Sequence, residues 1–482
     1  MEGPGGSPAP RSSGVSRRDV LRWSLATGVA LGAAPVLAAC QPVRTDPPLA
    51  PDPSLRALGF AGGTEGELLQ GGWCWFQSPR ASFGPGGLLW LGSSVSGLQA
   101  ELDGSVQVIA FDTTTMLERT RRVIARTQKD DHTSPSVLAL GDKAQVAWSL
   151  HQNVDYVSVG ELTVDGAFTS QRIVRPGALK APARGTAYAS AHVVDGQRWV
   201  LYRGEQFSWN LLTSPDGKAW TGRGLVVAPR SAGDRPYVHA VSDGTRLHLL
   251  VTDGNPTEFR GTSVRAGTLG TDLRVRNSDG TWVGTVGSGA PTPGKLTMVA
   301  PGAPGDAEAT DTDLWLCDLR YVDGAATGII SRRDPWPEGA SAVGKYRHQY
   351  LWVRRRRTGW VVEPLAWAGG ELCPSQPDYS GLATQDPTDP TRVVVSTQVH
   401  PISAEPLVSG FDGKVHFELF EGRRVGEGTW TWEPLTRDSE EDNIRPVIAA
   451  GGTAKALCWM RGKYWSWTDF DTRLVVRKAA GT

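Results

Sequence analysis

The sequence predicts an all-β protein, a β-propeller of seven four-stranded blades, and three observations predict it. The first is composition: 482 residues contain 58 glycines, 33 prolines and 19 tryptophans but only 4 methionines, which favours short strands and tight turns over long helices. The second is the recurrence of Asp-Gly pairs, at Asp103-Gly104, Asp165-Gly166, Asp195-Gly196, Asp216-Gly217, Asp243-Gly244, Asp279-Gly280, Asp323-Gly324 and Asp412-Gly413. Both residues of such a pair tolerate positive φ, as a two-residue hairpin turn requires. The third is the stretches between turns. Arg198–Arg203, Arg246–Val251 and Arg392–Thr397 are rich in β-branched, aromatic and aliphatic residues and too short for helices. No amphipathic helix is evident after residue 56. Hairpins in this number must protect their edges, and radial repetition of four-stranded sheets does so. About 420 residues shared among seven blades gives roughly 60 per blade, and six or eight blades also suit the length.

Charge narrows the function. Charged residues are 21% of the chain and sum to zero, so no net field draws in nucleic acid or a membrane surface. Residues 1–39 read as an address. Ser16-Arg17-Arg18-Asp19-Val20-Leu21 and the apolar stretch from Trp23 to Ala39 resemble a twin-arginine export signal. Leu37-Ala38-Ala39-Cys40 is similar to the bacterial lipobox, in which the cysteine is lipidated. Cys40 is therefore the expected anchor, on the outer face of the cytoplasmic membrane, and the expected sole membrane contact. Residues 40–56 read as a Pro-rich tether, and 57–478 as a single propeller domain, expected to be a monomer. Cys74, Cys317, Cys373 and Cys458 allow two disulfides in three connectivities, match no metal spacing, and are equally consistent with buried thiols.

Ser214-Pro215-Asp216-Gly217-Lys218-Ala219-Trp220 closely resembles the Asp-box of sialidase-type propellers, a turn in which the aspartate accepts backbone amides and the tryptophan packs between strands. Asn277-Ser278-Asp279-Gly280-Thr281-Trp282 is a degenerate relative. A wider resemblance follows from ordered motifs: Gly71–Ala81, Asp130-Asp131-His132-Thr133-Ser134-Pro135, Tyr202-Arg203-Gly204, Arg235-Pro236-Tyr237-Val238 with Thr252-Asp253-Gly254, Pro377–Gly381, and Trp430-Thr431-Trp432 leading to Asp442-Asn443-Ile444-Arg445-Pro446. These look like the BNR-repeat propeller family that includes ulvan lyases and related enzymes acting on glycans of uronic acid and rhamnose.

The resemblance implies a polysaccharide lyase acting by β-elimination on an acidic polysaccharide or oligosaccharide. That chemistry needs a cation to neutralise the uronate carboxylate, a base near C5 and an acid for the leaving oxygen. The motif order implies His132 as base, Tyr188 as acid and Arg203 as neutraliser. It also implies substrate contacts from His151, Arg80 and Asn255; Arg235 and Tyr237, which share one strand face with His239, and His348, beside the Arg347 and Gln349 face, are further candidate contacts for an acidic sugar by residue type. Two departures from the family stand out: the Asn-Pro that often follows the tyrosine is missing after Tyr188, and Asn255 replaces a common histidine. No redox cofactor or catalytic metal is called for, though loop carboxylates suit structural calcium. Arg445 reads as blade-closing structure. The alternatives are a glycoside hydrolase on the same scaffold, acting on rhamnosyl-glucuronate or a sialidase-like linkage, and a non-catalytic glycan-binding lipoprotein. A G-x-S-x-G elbow, a Walker loop and H-E-x-x-H are all missing from the sequence.

Overall fold

The computed structural model describes residues 51–481 apart from 98–100, 152–153, 175–185, 232, 307–310, 338 and 340–342. The export and lipidation signals, Cys40 among them, lie outside the described residues.

Seven antiparallel sheets form a ring, and the described residues contain no α-helix, only single 3-10 turns. In chain order the innermost strands are Ala81–Phe83, Ser136–Leu140, Ala187–Val194, Val238–Ser242, Asp313–Val322, Ala383–Gln385 and Asp442–Gly451. Each touches the innermost strand of the next blade, and the last touches the first, so the ring is closed. Five of the sheets have four strands; the fourth blade carries two more, Trp282–Thr285 and Thr297–Ala300. The seventh is built from both ends of the chain. Thr64–Glu65 and Leu69–Gln70 pair with Asp469–Lys478, with Thr64 opposite Lys478, so the ring shields the edges that an open sheet would expose.

The turn reading is visible in the backbone. Asp195-Gly196 has φ of 50° and 71°, and Asp323-Gly324 has 50° and 70°, the two left-handed positions of a type I′ hairpin. At Ser214–Trp220, Asp216 Oδ1 accepts the N–H groups of Lys218 and Ala219 at 2.8 and 2.9 Å, and Trp220 donates to the Gly217 carbonyl. The second Asp-Gly-Thr-Trp turn keeps the aspartate bond to Thr281 N–H, but Trp282 is exposed and does not pack between strands.

Apolar residues fill the seams between blades. Between the sixth and seventh, Trp459 lies fully buried among Val394, Leu419, Ile448 and Val475; each such indole removes about 200 Å² from water. Cys74, Cys317, Cys373 and Cys458 are buried, unbridged thiols, so the disulfide alternative falls away. The tether boundary also shifts. Asp52 caps the turn Pro53–Ala57, Leu55 is buried, Pro51 bridges Gly452, and the buried Lys455 ammonium donates to the Leu55 and Leu58 carbonyls. Residues 51–56 therefore belong to the folded body.

Candidate functional site

The segment Trp73–Gln77 joins residues of several blades where the innermost strands converge. Its bonds reach around the ring. Trp73 Nε1 donates to the Arg445 carbonyl, Cys74 N to Ser134, Trp75 Nε1 to the Leu316 carbonyl and Gln77 to the His132 carbonyl. Ser190 donates to the Phe76 carbonyl. Trp75 meets Tyr379 edge-on at 4.8 Å, and Phe76 contacts Tyr188, Tyr237, His239 and Trp315 at 4.7–5.6 Å. These rings form an aromatic floor where the blades converge.

Above this floor lies a charged cluster. Asp130 caps a one-turn 3-10 helix, Asp131–Thr133, that leads into the second blade. Its Oδ1 accepts His132 N–H at 2.9 Å and lies 2.6 Å from His132 Nδ1, while its Oδ2 lies 2.8 Å from His151 Nδ1. Asp131 Oδ1 is 2.8 Å from His132 Nδ1. Because the one Nδ1 proton serves Asp130, Asp131 acts on it chiefly through charge. The other Asp131 oxygen accepts from Arg445 and, at 2.7 Å, from Tyr464. The imidazoles of His132 and His151 are stacked, 4.0 Å apart and 2° from parallel.

Burial alone would hold His132 neutral, but the two aspartates outweigh it and raise its pKa well above 6.5. Burial and the neighbouring His132 charge instead push His151 down to about 4. Burial would raise Asp130 and Asp131, yet His132 and Arg445 hold both below the usual carboxylate range. The cluster therefore rests at neutral pH as two carboxylates, one imidazolium and one neutral imidazole.

Tyr188 and Arg203 come from the third blade. Ala187 pairs with Arg203 across the sheet, and a bulge between Ala187 and Ser190 leaves Tyr188 at φ 55°, a left-handed backbone uncommon for a tyrosine. The phenol ring is 5.1 Å from His132, and the Arg203 guanidinium is 4.4 Å above that ring. Phe207 and Tyr237 also flank Arg203, at 5.3 and 5.2 Å. No carboxylate pairs with Arg203 among the described residues, and its Nη1 is sealed from solvent without a hydrogen-bond partner. Burial keeps the Tyr188 phenol protonated well past its ordinary range.

His132, Tyr188 and Arg203 are 4%, 2% and 1% exposed, whereas the His151 side chain is 16% exposed. His151 and Tyr237 join the cluster. The other residues expected to touch substrate sit differently. Arg80 lies near Asp318 and Arg320, and His348 is fully buried with Nε2 on the Pro377 carbonyl. Asn255 binds the backbone and hydroxyl of Thr257 within its own turn. Arg235 stacks on Phe207 at 4.4 Å with Nε 3.0 Å from Glu258. Arg445, read as blade-closing structure, belongs to the cluster through Asp131. Trp467, which carries no sequence signal, places its ring 6.5 Å from His132 and accepts Asp131 N–H on its carbonyl.

Asp130, His132 and His151 bring ligand-type atoms within 4.8 Å of one another. Their Nδ1–carboxylate separations of 2.6 and 2.8 Å are shorter than the roughly 3.3 Å between neighbouring ligands around zinc, so the set is a proton-sharing network. A second group, Cys74, Asp131 and His132, includes a thiol that burial pushes up to about 11, where it stays protonated. The Arg445–Asp131 pair should matter for stability. Arg445→Met leaves Asp131 buried beside only a phenol and an imidazolium, and denaturant titration is expected to show a loss of about 3–5 kcal/mol; a loss below about 1 kcal/mol would contradict this.

Fold and site together define a seven-bladed propeller whose mouth carries an acid–imidazole–phenol–guanidinium cluster. Among solved structures, the chain is similar to the polysaccharide lyase Uly1, at 10% identity, over 90% of this chain and 96% of that one, with a TM-score of 0.49. It is similar to the α-L-arabinofuranosidase Arb93A of Fusarium graminearum at 8% identity, over 86% and 97%, with a TM-score of 0.40. For the Penicillium chrysogenum α-L-arabinanase the values are 10%, 70%, 90% and 0.39. At such identities the likeness is one of fold. No protein-family model and no curated protein matches the chain.

Proposed function

We propose that this protein is a polysaccharide lyase that cleaves uronate-containing glycans by β-elimination at the mouth of the ring. One observation carries the reading: Arg203 is a buried guanidinium with three aromatic neighbours, an unbonded Nη1 and, among the described residues, no carboxylate partner. An unpaired buried cation is unfavourable until an anion reaches it, and a sugar carboxylate supplies that anion in a bidentate geometry. Binding it to Arg203 acidifies the adjacent C5–H. A neutral imidazole then takes the C5 proton, the C4–O4 bond breaks, C4=C5 forms, and Tyr188 protonates the departing oxygen; no water is consumed. The resting charges favour His151 over His132 as the base, since His132 already holds a proton between two carboxylates.

A hydrolase on this scaffold would need a carboxylic acid able to donate a proton. Asp130 and Asp131 are both held ionised, which disfavours that route. From residues 1–40 we further infer that the protein works outside the cytoplasm, anchored by lipid on Cys40. The deciding assay incubates the protein with a panel of uronate-containing polysaccharides, with His132→Ala as control. Unsaturated, ultraviolet-absorbing ends are the expected product. New reducing ends without that absorbance would replace lyase by hydrolase, and binding without product, indifferent to His132→Ala, would leave a glycan-binding protein.

A further inference from the structure

Beneath the aromatic floor the channel holds a second polar group that the chemistry above does not use. His239 stacks under Phe76 at 5.0 Å, and farther along the innermost strands come Asp318, Arg320 and Thr384. Arg80, which leads into the first blade, joins them, and its charge is felt by Asp318 and Arg320. Asp318 is already committed. It accepts Leu319 N at 3.0 Å, Arg320 Nε at 2.9 Å, Thr384 Oγ1 at 2.8 Å and Gln385 N at 2.9 Å. None of these bonds involves Arg80, which no carboxylate approaches within ion-pair distance among the described residues. Arg80 is 6% exposed, and its Nε and Nη1 are sealed from solvent with no partner; His239 is 4% exposed, and its Nε2 is equally unpartnered. Burial holds the His239 ring neutral, with a pKa of about 3, so two guanidinium charges face one carboxylate. One monovalent anion balances them.

We propose that the channel below the floor is a binding site for a small monovalent inorganic anion of the halide class, held by Arg80 with His239 as a second donor. The site does not depend on the reaction assigned to the mouth. It is tested on the full chain by exchanging sodium gluconate for sodium chloride at constant ionic strength. A saturable rise in Tm is expected, about 3 °C at one hundred times Kd for a body of this size. Bromide should reproduce it, and Arg80→Met should abolish it. Should Arg80→Met fail to fold, crystals of the unaltered protein grown in bromide decide the matter. An anomalous peak roughly 3.3 Å from Arg80 nitrogens is expected. Equal Tm in both salts, or a water molecule and no bromide peak beside Arg80, overturns the proposal.

Discussion

Replacing Arg203 by methionine should remove about 10²–10³-fold of turnover on a uronate glycan while leaving the fold as stable as before or more so. The two halves of this result come from one cause. Most buried arginines here have acidic partners, such as Arg392 with Glu421 and Asp386, or Arg333 with Asp313 and Asp378, and removing such a cation strands an anion. Arg203 has none among the described residues, so its replacement strands no described anion. The ring contacts with Tyr188, Phe207 and Tyr237, at roughly 1 kcal/mol each or less, and a hydrogen bond with Tyr237 are lost, against the desolvation of a whole charge. Steady-state kinetics and thermal unfolding on one preparation check both halves. A variant with normal turnover sinks the carboxylate assignment. One that loses turnover only because it unfolds shows that Arg203 is structural.

The second large effect concerns the stacked imidazoles. His151→Ala should reduce kcat by about 10²–10⁴-fold, the range of a removed general base. The pH profile of kcat/KM distinguishes the two histidines. With His151 lowered to about 4, activity should rise through that pH and stay level across neutrality. Were His132 the base, its proton would have to leave first, and activity would climb only toward alkaline pH because its pKa is raised. Stability carries the signs independently. The His132 contribution is complete below the unfolded pKa of about 6.5 and fades as pH rises through the higher folded value. The His151 contribution is complete above about 6.5 and is lost as pH falls toward 4. Urea titration of His132→Asn and His151→Asn at several pH values should reveal opposite slopes.

Local chemistry made much of the ring legible before its coordinates. Asp195-Gly196 and Asp323-Gly324 require left-handed φ, and the hairpins formed there. Length and the closure that many short strands demand pointed to seven blades but also suited six or eight. The extra strands of the fourth blade were not legible, since Trp282–Thr285 and Thr297–Ala300 resemble ordinary loop-flanked strands. At the mouth, Asp130 and Asp131 beside His132 announced an oriented imidazole. Neither adjacency nor motif showed that His151, 21 positions on, would share Asp130 and divide the charge unequally. Arg445 and Tyr464 depend on ring closure, which brings the seventh blade against the first and so to the Asp131 turn that follows it, and no local pattern encodes that meeting. Arg80, His348 and Asn255 show the converse limit: Arg80 lies near Asp318 and Arg320, His348 is buried on the Pro377 carbonyl, and Asn255 is bound within its own turn, none of which the sequence displayed.

The clasp in the seventh blade has a consequence for synthesis. Thr64–Gln70 precedes all the blades in the chain but has no strand partner until Asp469–Lys478 has been made. For most of translation the first blade offers an unpaired flank to any neighbouring chain, which is when such proteins are most prone to aggregate. Completion is a single late event spanning almost the entire body, slow by topology, and a product ending before Asp469 would forfeit closure even with six blades fully made.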